Sequence, residues 1–125
     1  MTEILGIGTD LVDIARMQLA LDRTPGFAVR VFSDAERAYA LRKKDPVPSL
    51  AARFATKEAV MKALGIGLWK FALRDVEVAR ARSGAPSVVL HGKAALLASE
   101  HGVTEWMLTL SHTKTTAIAV AVARG

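Results

Sequence analysis

Residues 48–64, closed by Gly65, cannot form an ordinary surface helix. At 100° per residue Leu50, Phe54, Val60, Met61 and Leu64 fill one sector, yet Arg53 and Lys57 point into that same sector and the remaining face is alanine. A helix exposed on one side segregates its charges from its apolar stripe. This one is expected to be packed on several sides, with the alanine face allowing another element to come close. Pro48 and Ser49 suit its start, and Gly65 suits a left-handed C-terminal position. Gly67 follows in a glycine-punctuated loop.

The other elements are read from periodicity and punctuation. Residues 3–9 look like a strand, and Leu11, Ile14, Leu19 and Leu21 give a rough helical spacing that stops before Thr24-Pro25-Gly26. Ser33 and Glu36 form a capping-box pair that opens a helix over 35–43, ended by Asp45-Pro46. Val76 and Val78 alternate with Asp75, Glu77 and Arg80; Ser83-Gly84-Ala85-Pro86 and Val88-Val89-Leu90 then complete a strand, a turn and a strand. A short helix over 93–100 ends at Gly102. The nearly unbroken apolar runs 106–110 and 117–122 read as buried central strands joined by 111–115. The expected class is α+β, a small, mostly antiparallel sheet with helices packed on one side, in one domain spanning residues 1–125.

With no cysteine in its 125 residues, the chain has no disulfide framework, thiolate catalysis or Cys-ligated zinc. No basic stretch followed by a long apolar run opens it, and no 18-residue uncharged apolar run occurs, so a soluble cytoplasmic protein is expected rather than an exported or membrane-spanning one. The net charge of +5 is concentrated. Residues 14–44 hold seven cations, among them Arg16, Arg23, Arg30 and Arg42, against Asp22, Asp34 and Glu36. Such a field steers an acidic partner. A nucleic-acid binder would interleave aromatic side chains with those cations, whereas aromatics make up 6% of the chain and are scattered.

Six positions carry possible chemistry, and each also has a plain structural explanation. Asp10 follows Gly6-Ile7-Gly8, where an aspartate is either a helix N-cap or a hard-oxygen ligand. Gly-x-Gly by itself is weak, since the third glycine of a dinucleotide fingerprint and the Gly-Lys-Ser/Thr of a P-loop are both missing. Glu58 and Lys62, four apart, are either an exposed ion pair or members of a site. Arg53 and Lys57 are either snorkelling stems or phosphate contacts, and His112 is either a core histidine or a phosphate contact.

Read together, three separated runs are more specific. Gly6-Ile7-Gly8-Thr9-Asp10-Leu11-Val12-Asp13-Ile14-Ala15-Arg16, the run Arg53-Phe54-Ala55-Thr56-Lys57-Glu58-Ala59-Val60-Met61-Lys62-Ala63-Leu64-Gly65-Ile66-Gly67, and Leu110-Ser111-His112-Thr113-Lys114 resemble the signatures of the holo-[acyl-carrier-protein] synthase family, the small bacterial 4'-phosphopantetheinyl transferases. The resemblance spans nearly the whole chain, in order. It implies transfer of 4'-phosphopantetheine from coenzyme A to a serine of apo acyl carrier protein, with release of adenosine 3',5'-bisphosphate, in support of fatty acid biosynthesis.

By the same resemblance Asp10 and Glu58 bind Mg²⁺, Lys62 lies against the pyrophosphate, and a water held by Asp10 or Glu58 relays the serine proton. Arg53, Lys57, Lys62, Gly65, Gly67, His112 and Thr113 fall where the family holds the nucleotide's phosphates. Arg16 and Arg23 fall on the helix that docks the acidic carrier, and family members of this size are homotrimers with sites in the subunit clefts. Ile66 departs from the Gly-Thr-Gly more usual there, which removes a hydroxyl contact.

Overall fold

The computed structural model describes residues 3–67 and 70–125. Among the described residues five strands and five helices follow in the order β1 (Ile4–Asp13), α1 (Ile14–Arg23), α2 (Phe27–Val31), α3 (Asp34–Leu41), α4 (Val47–Leu64), β2 (Val76–Arg80), β3 (Pro86–Leu90), α5 (Gly92–Glu100), β4 (Glu105–His112) and β5 (Thr116–Arg124), with a one-turn 3₁₀ helix at Leu73–Asp75 before β2. The class is α+β, as expected. The strands make two antiparallel sheets rather than one: β1-β5-β4 with β5 central, and the separate hairpin β2-β3.

Helix α4 is the axis of the molecule. Thirteen of its eighteen residues are buried, because β1 and β5 cover one side while α1, α3 and β2 close the others. Small residues set the spacing. Ala117, Ala119, Ala121 and Ala123 all turn to the helix and are fully buried. From β1, Gly6, Gly8, Asp10 and Val12 point the same way, as strand alternation requires. A Cβ at Gly8 would lie 1.9 Å from the Ala59 carbonyl oxygen, and one at Gly6 would lie 1.9 Å from that of Ala63. Only glycine permits this approach. On the far side of α4 the core is larger, with Phe32, Val60 and Met61 almost wholly enclosed; burying each contributes about 1.5–3 kcal/mol.

Local signals place most boundaries. The capping box at α3 is complete, Ser33 accepting from Glu36 N and Glu36 accepting from Ser33 N. Gly65 ends α4 in the left-handed region at φ 68°. The first strand is longer than expected and the first helix later. Pairing of Leu11 with Ile118 and of Asp13 with Thr116 carries β1 through Asp13, so Leu11 belongs to the strand. The one-and-a-half-turn α2 and the 3₁₀ turn are too short to show a period, and the sequence reading did not contain them.

Candidate active site

The glycine and alanine packing that joins β1 to α4 also assembles the chemistry. Ala59 and Ala63 touch β1, so Glu58 and Lys62, their immediate neighbours on α4, lie beside Asp10 at the next inward position of the strand. Lys62 Nζ donates to Asp10 Oδ1 at 3.1 Å and to the Thr9 carbonyl at 2.9 Å. Asp10 is not an N-cap. Asp13 takes that role, accepting from Arg16 N at 3.1 Å, which leaves the Asp10 carboxylate for the cluster.

Glu58 is half-buried, and its carboxylate makes no hydrogen bond among the described residues. Burial raises its pKa above the ordinary value, the Asp10 charge raises it further, and Lys62 opposes both. Two close, partly buried carboxylates with one lysine between them are under-neutralised. A hard divalent cation fits them, since Mg²⁺ commonly takes one or two carboxylates and completes its shell with substrate oxygens and water. Among the described residues no group of three or more His, Cys, Asp or Glu gathers, so an all-protein cage is absent there.

Glu58 stands where two hollows meet. An open cleft of about 400 Å³ is lined by Asp10, Asp13, Arg16, Met17, Phe54 and Glu58. An apolar recess of about 330 Å³, walled by Phe27, Val31, Phe54 and Leu73, adjoins it. Arg16 therefore edges the cleft, and Arg23 is exposed at the far end of the same helix.

The remaining candidates lie elsewhere. Arg53 and His112 line a second cleft of about 280 Å³ with Tyr39, Lys43, Ser49 and Arg80. The Arg53 guanidinium stacks 4.3 Å from the Tyr39 ring centre and donates to Ser49 Oγ at 2.7 Å, but its Nε is buried without a partner. Lys43 and Arg80 crowd the same ring at 5.1 and 5.2 Å. This cleft is cationic. Lys43, Arg80 and Tyr39 are not legible as site residues in the sequence, where charge marks only the two cations, because they converge on Arg53 from α3, the loop after it and β2. Thr113 lies beside His112, and its hydroxyl accepts from the backbone of Thr115 and Thr116 in the β4-β5 turn. Nothing lies within 4 Å of a Cβ built at Gly65 or Gly67, so the backbone there is open to approach, while Ile66 packs against the core.

Lys57 does not reach either cleft. Its ammonium is fully buried, donating to Glu36 Oε1 at 2.7 Å, to the Leu73 carbonyl at 3.2 Å and to the Val76 carbonyl. Burial depresses its pKa and Glu36 opposes the shift. With its ammonium enclosed and its donors taken, Lys57 presents none to a phosphate within the protomer.

A strand-borne aspartate meeting a helix-borne glutamate and lysine, beside a separate cationic cleft, is the arrangement of an enzyme that handles phosphates, and residues 6–122 match the 4'-phosphopantetheinyl transferase superfamily. The chain belongs to that superfamily. It is 48% identical to the holo-[acyl-carrier-protein] synthase of Moorella thermoacetica over 119 residues, which cover 95% of this chain and 93% of the relative. Among solved structures, an acyl carrier protein synthase of Plasmodium yoelii with ADP bound superposes with a TM-score of 0.90 at 30% identity, covering 100% of this chain and 98% of that one. A complex of the Chronobacterium ammoniagenes enzyme with coenzyme A superposes with a TM-score of 0.85 at 28% identity, covering 99% and 97%. Within the superfamily the chain falls with the holo-[acyl-carrier-protein] synthases and is an enzyme of that kind.

Proposed function

We propose that this enzyme moves 4'-phosphopantetheine from coenzyme A to a serine hydroxyl of an apo acyl carrier protein and releases adenosine 3',5'-bisphosphate, with Mg²⁺ held by Asp10 and Glu58. The observation that carries this reading is the Asp10, Glu58 and Lys62 cluster at the junction of an open cleft and an apolar recess. The serine oxygen bonds to the phosphorus that bears the pantetheine, the bond from that phosphorus to the bridging oxygen breaks, and the bisphosphate leaves with the electron pair. A water held by Asp10 or Glu58 takes the serine proton and relays it away from the reacting oxygen. Lys62, whose side chain is 57% exposed, can reach the bridging oxygen and stabilise charge growing on the leaving group, an effect worth several kcal/mol in a pre-organised site. When bound, the cation neutralises the pyrophosphate charge.

Two features support an assembly of copies, with homotrimer as the expected state. The face of the β1-β5-β4 sheet turned away from α4 is apolar and uncovered, with Ile7 67%, Leu11 66% and Met107 50% exposed. The Arg53 and His112 cleft, with its unpartnered Arg53 Nε, is apart from the Asp10 cluster in one protomer. Burying the sheet face between copies would let the cationic cleft of one protomer hold the nucleotide phosphates of a coenzyme A whose pyrophosphate lies at Asp10 and Glu58 of the next. Gly65 and Gly67 offer open backbone beside it. The acidic carrier docks on α1 through Arg16 and Arg23, and its modified form serves fatty acid synthesis in the cytoplasm.

The test is direct. The protein is incubated with coenzyme A, Mg²⁺ and an apo carrier protein, and the carrier is weighed by mass spectrometry. A gain of one phosphopantetheine is expected; no gain with several apo carriers overturns the reading.

A further inference from the structure

The Lys57 and Glu36 pair is a large investment in a small protein. Both side chains are wholly enclosed, and a buried ion pair is commonly no more stable than apolar residues of the same volume. Stability alone therefore does not account for it. Its connections do. The Lys57 ammonium binds α3 through Glu36, the 3₁₀ turn through the Leu73 carbonyl and β2 through the Val76 carbonyl. Glu36 in turn accepts from Ser33 N at 2.9 Å and from Val78 N at 3.0 Å. Four segments meet at one point with these polar groups satisfied.

Each of those segments carries a wall of one of the clefts. Glu58 follows Lys57 on α4, and Arg53 precedes it by one turn. Leu73 lines the recess at Glu58. Val76 and Val78 lie on the strand that ends at Arg80, which lines the Arg53 and His112 cleft. A change in this pair would shift both hollows relative to α4.

We propose that Lys57, through Glu36, is a positioning residue that fixes the Arg80-bearing strand and the Leu73 wall against α4, so that the cationic cleft and the Glu58 recess keep the spacing that coenzyme A requires. This rests on the reading that those hollows hold coenzyme A. Lys57 itself touches no substrate. The carrier docks on α1, which the pair does not contact, so its recognition is independent of Lys57.

Two variants test this. Lys57→Met leaves the Glu36 carboxylate buried and unpaired. The double change Lys57→Met with Glu36→Gln removes both charges and keeps an amide beside the Val78, Leu73 and Val76 backbone, so it melts higher than the single variant. For the double variant, assayed well below its melting temperature, the KM for coenzyme A rises at least tenfold while the KM for the carrier stays within twofold. Amide exchange over residues 76–80 quickens at least tenfold while that of α1 is unchanged. Mere fold glue would lower the melting temperature and leave both KM values alone, which overturns the proposal. Unchanged exchange overturns it too, as does failure of both variants to fold, because the pair would then be a requirement of the fold. If the wild-type protein modifies no carrier, the functional reading fails by itself. Exchange and calorimetric binding of coenzyme A still decide the positioning role.

Discussion

The close contact between β1 and α4 is tested by Gly8→Ala. The added methyl would lie 1.9 Å from the Ala59 carbonyl oxygen and 2.7 Å from Ala63 N. Both obstacles are helix backbone and cannot rotate away. Reaching even 3.0 Å, below which real Cβ contacts are essentially never found, requires the strand and helix to part by about 1.1 Å. Overpacking of this kind costs about 1–3 kcal/mol, and rigid obstacles put this site near the upper end. For a 125-residue protein that corresponds to a fall in Tm of about 10 °C. Asp10 is two residues along the same strand, so its 3.1 Å contact with Lys62 opens by a similar amount. A displacement of about 1 Å in a reacting constellation costs on the order of a hundredfold in kcat. The assay is thermal melting by circular dichroism with single-turnover transfer to an apo carrier. Gly67→Ala is the control, since a Cβ there meets nothing within 4 Å, and its Tm should stay within about 2 °C. A Gly8→Ala protein with the wild-type Tm and kcat within twofold would refute the claim that glycine is needed for close approach and that this approach sets the cluster.

Three further outcomes are expected. Glu58→Gln should abolish Mg²⁺-dependent transfer yet, in the metal-free protein at neutral pH, raise stability slightly. Burial and Asp10 hold the Glu58 pKa above its unfolded value, so stability from this group is present below the ordinary carboxylate range and lost as pH rises through the raised value. The gain is a few tenths of a kcal/mol after solvent screening, and should vanish in melts below about pH 4; a gain that persists there removes the electrostatic cause. Arg16→Glu should raise the KM for the carrier about tenfold, weaken its salt dependence and leave the KM for coenzyme A unchanged; an equal effect on both substrates excludes a docking role. Ile7→Lys places a charge on the uncovered sheet face and should give a monomer by light scattering with a greatly weakened affinity for coenzyme A. A variant that keeps both the wild-type mass and affinity would remove that face from the interface.

What could be read before the fold was known follows the range of the interactions involved. The capping box of α3 and the left-handed Gly65 are settled within four residues, so both are legible from the chain. The alanine face of α4 is legible as a demand for close approach, but the sequence does not say by what. The partner is Gly6-Ile7-Gly8, which looks like a fragment of a phosphate loop and acts instead by lacking side chains. The junction after β1 likewise depends on a distant partner. Leu11, Ile14, Leu19 and Leu21 suit a helix locally, but pairing with β5, more than a hundred residues away, keeps Leu11 extended and moves the N-cap to Asp13.

The same distinction explains the cations of α4. Arg53, Lys57 and Lys62 are each a cation on a helix rich in apolar residues, the first two within its apolar sector and Lys62 on the opposite side. Their partners separate them: Lys62 meets Asp10 and Thr9 from β1 and stays half in solvent, Lys57 is consumed by Glu36 and two carbonyls, and Arg53 stacks on Tyr39 with its Nε unpartnered. A cation becomes available to a phosphate only where the fold leaves its donors unspent. By that criterion Lys62 and Arg53, at separate clefts of one protomer, remain candidates for the anionic substrate, while Lys57 is committed to the frame that holds them apart.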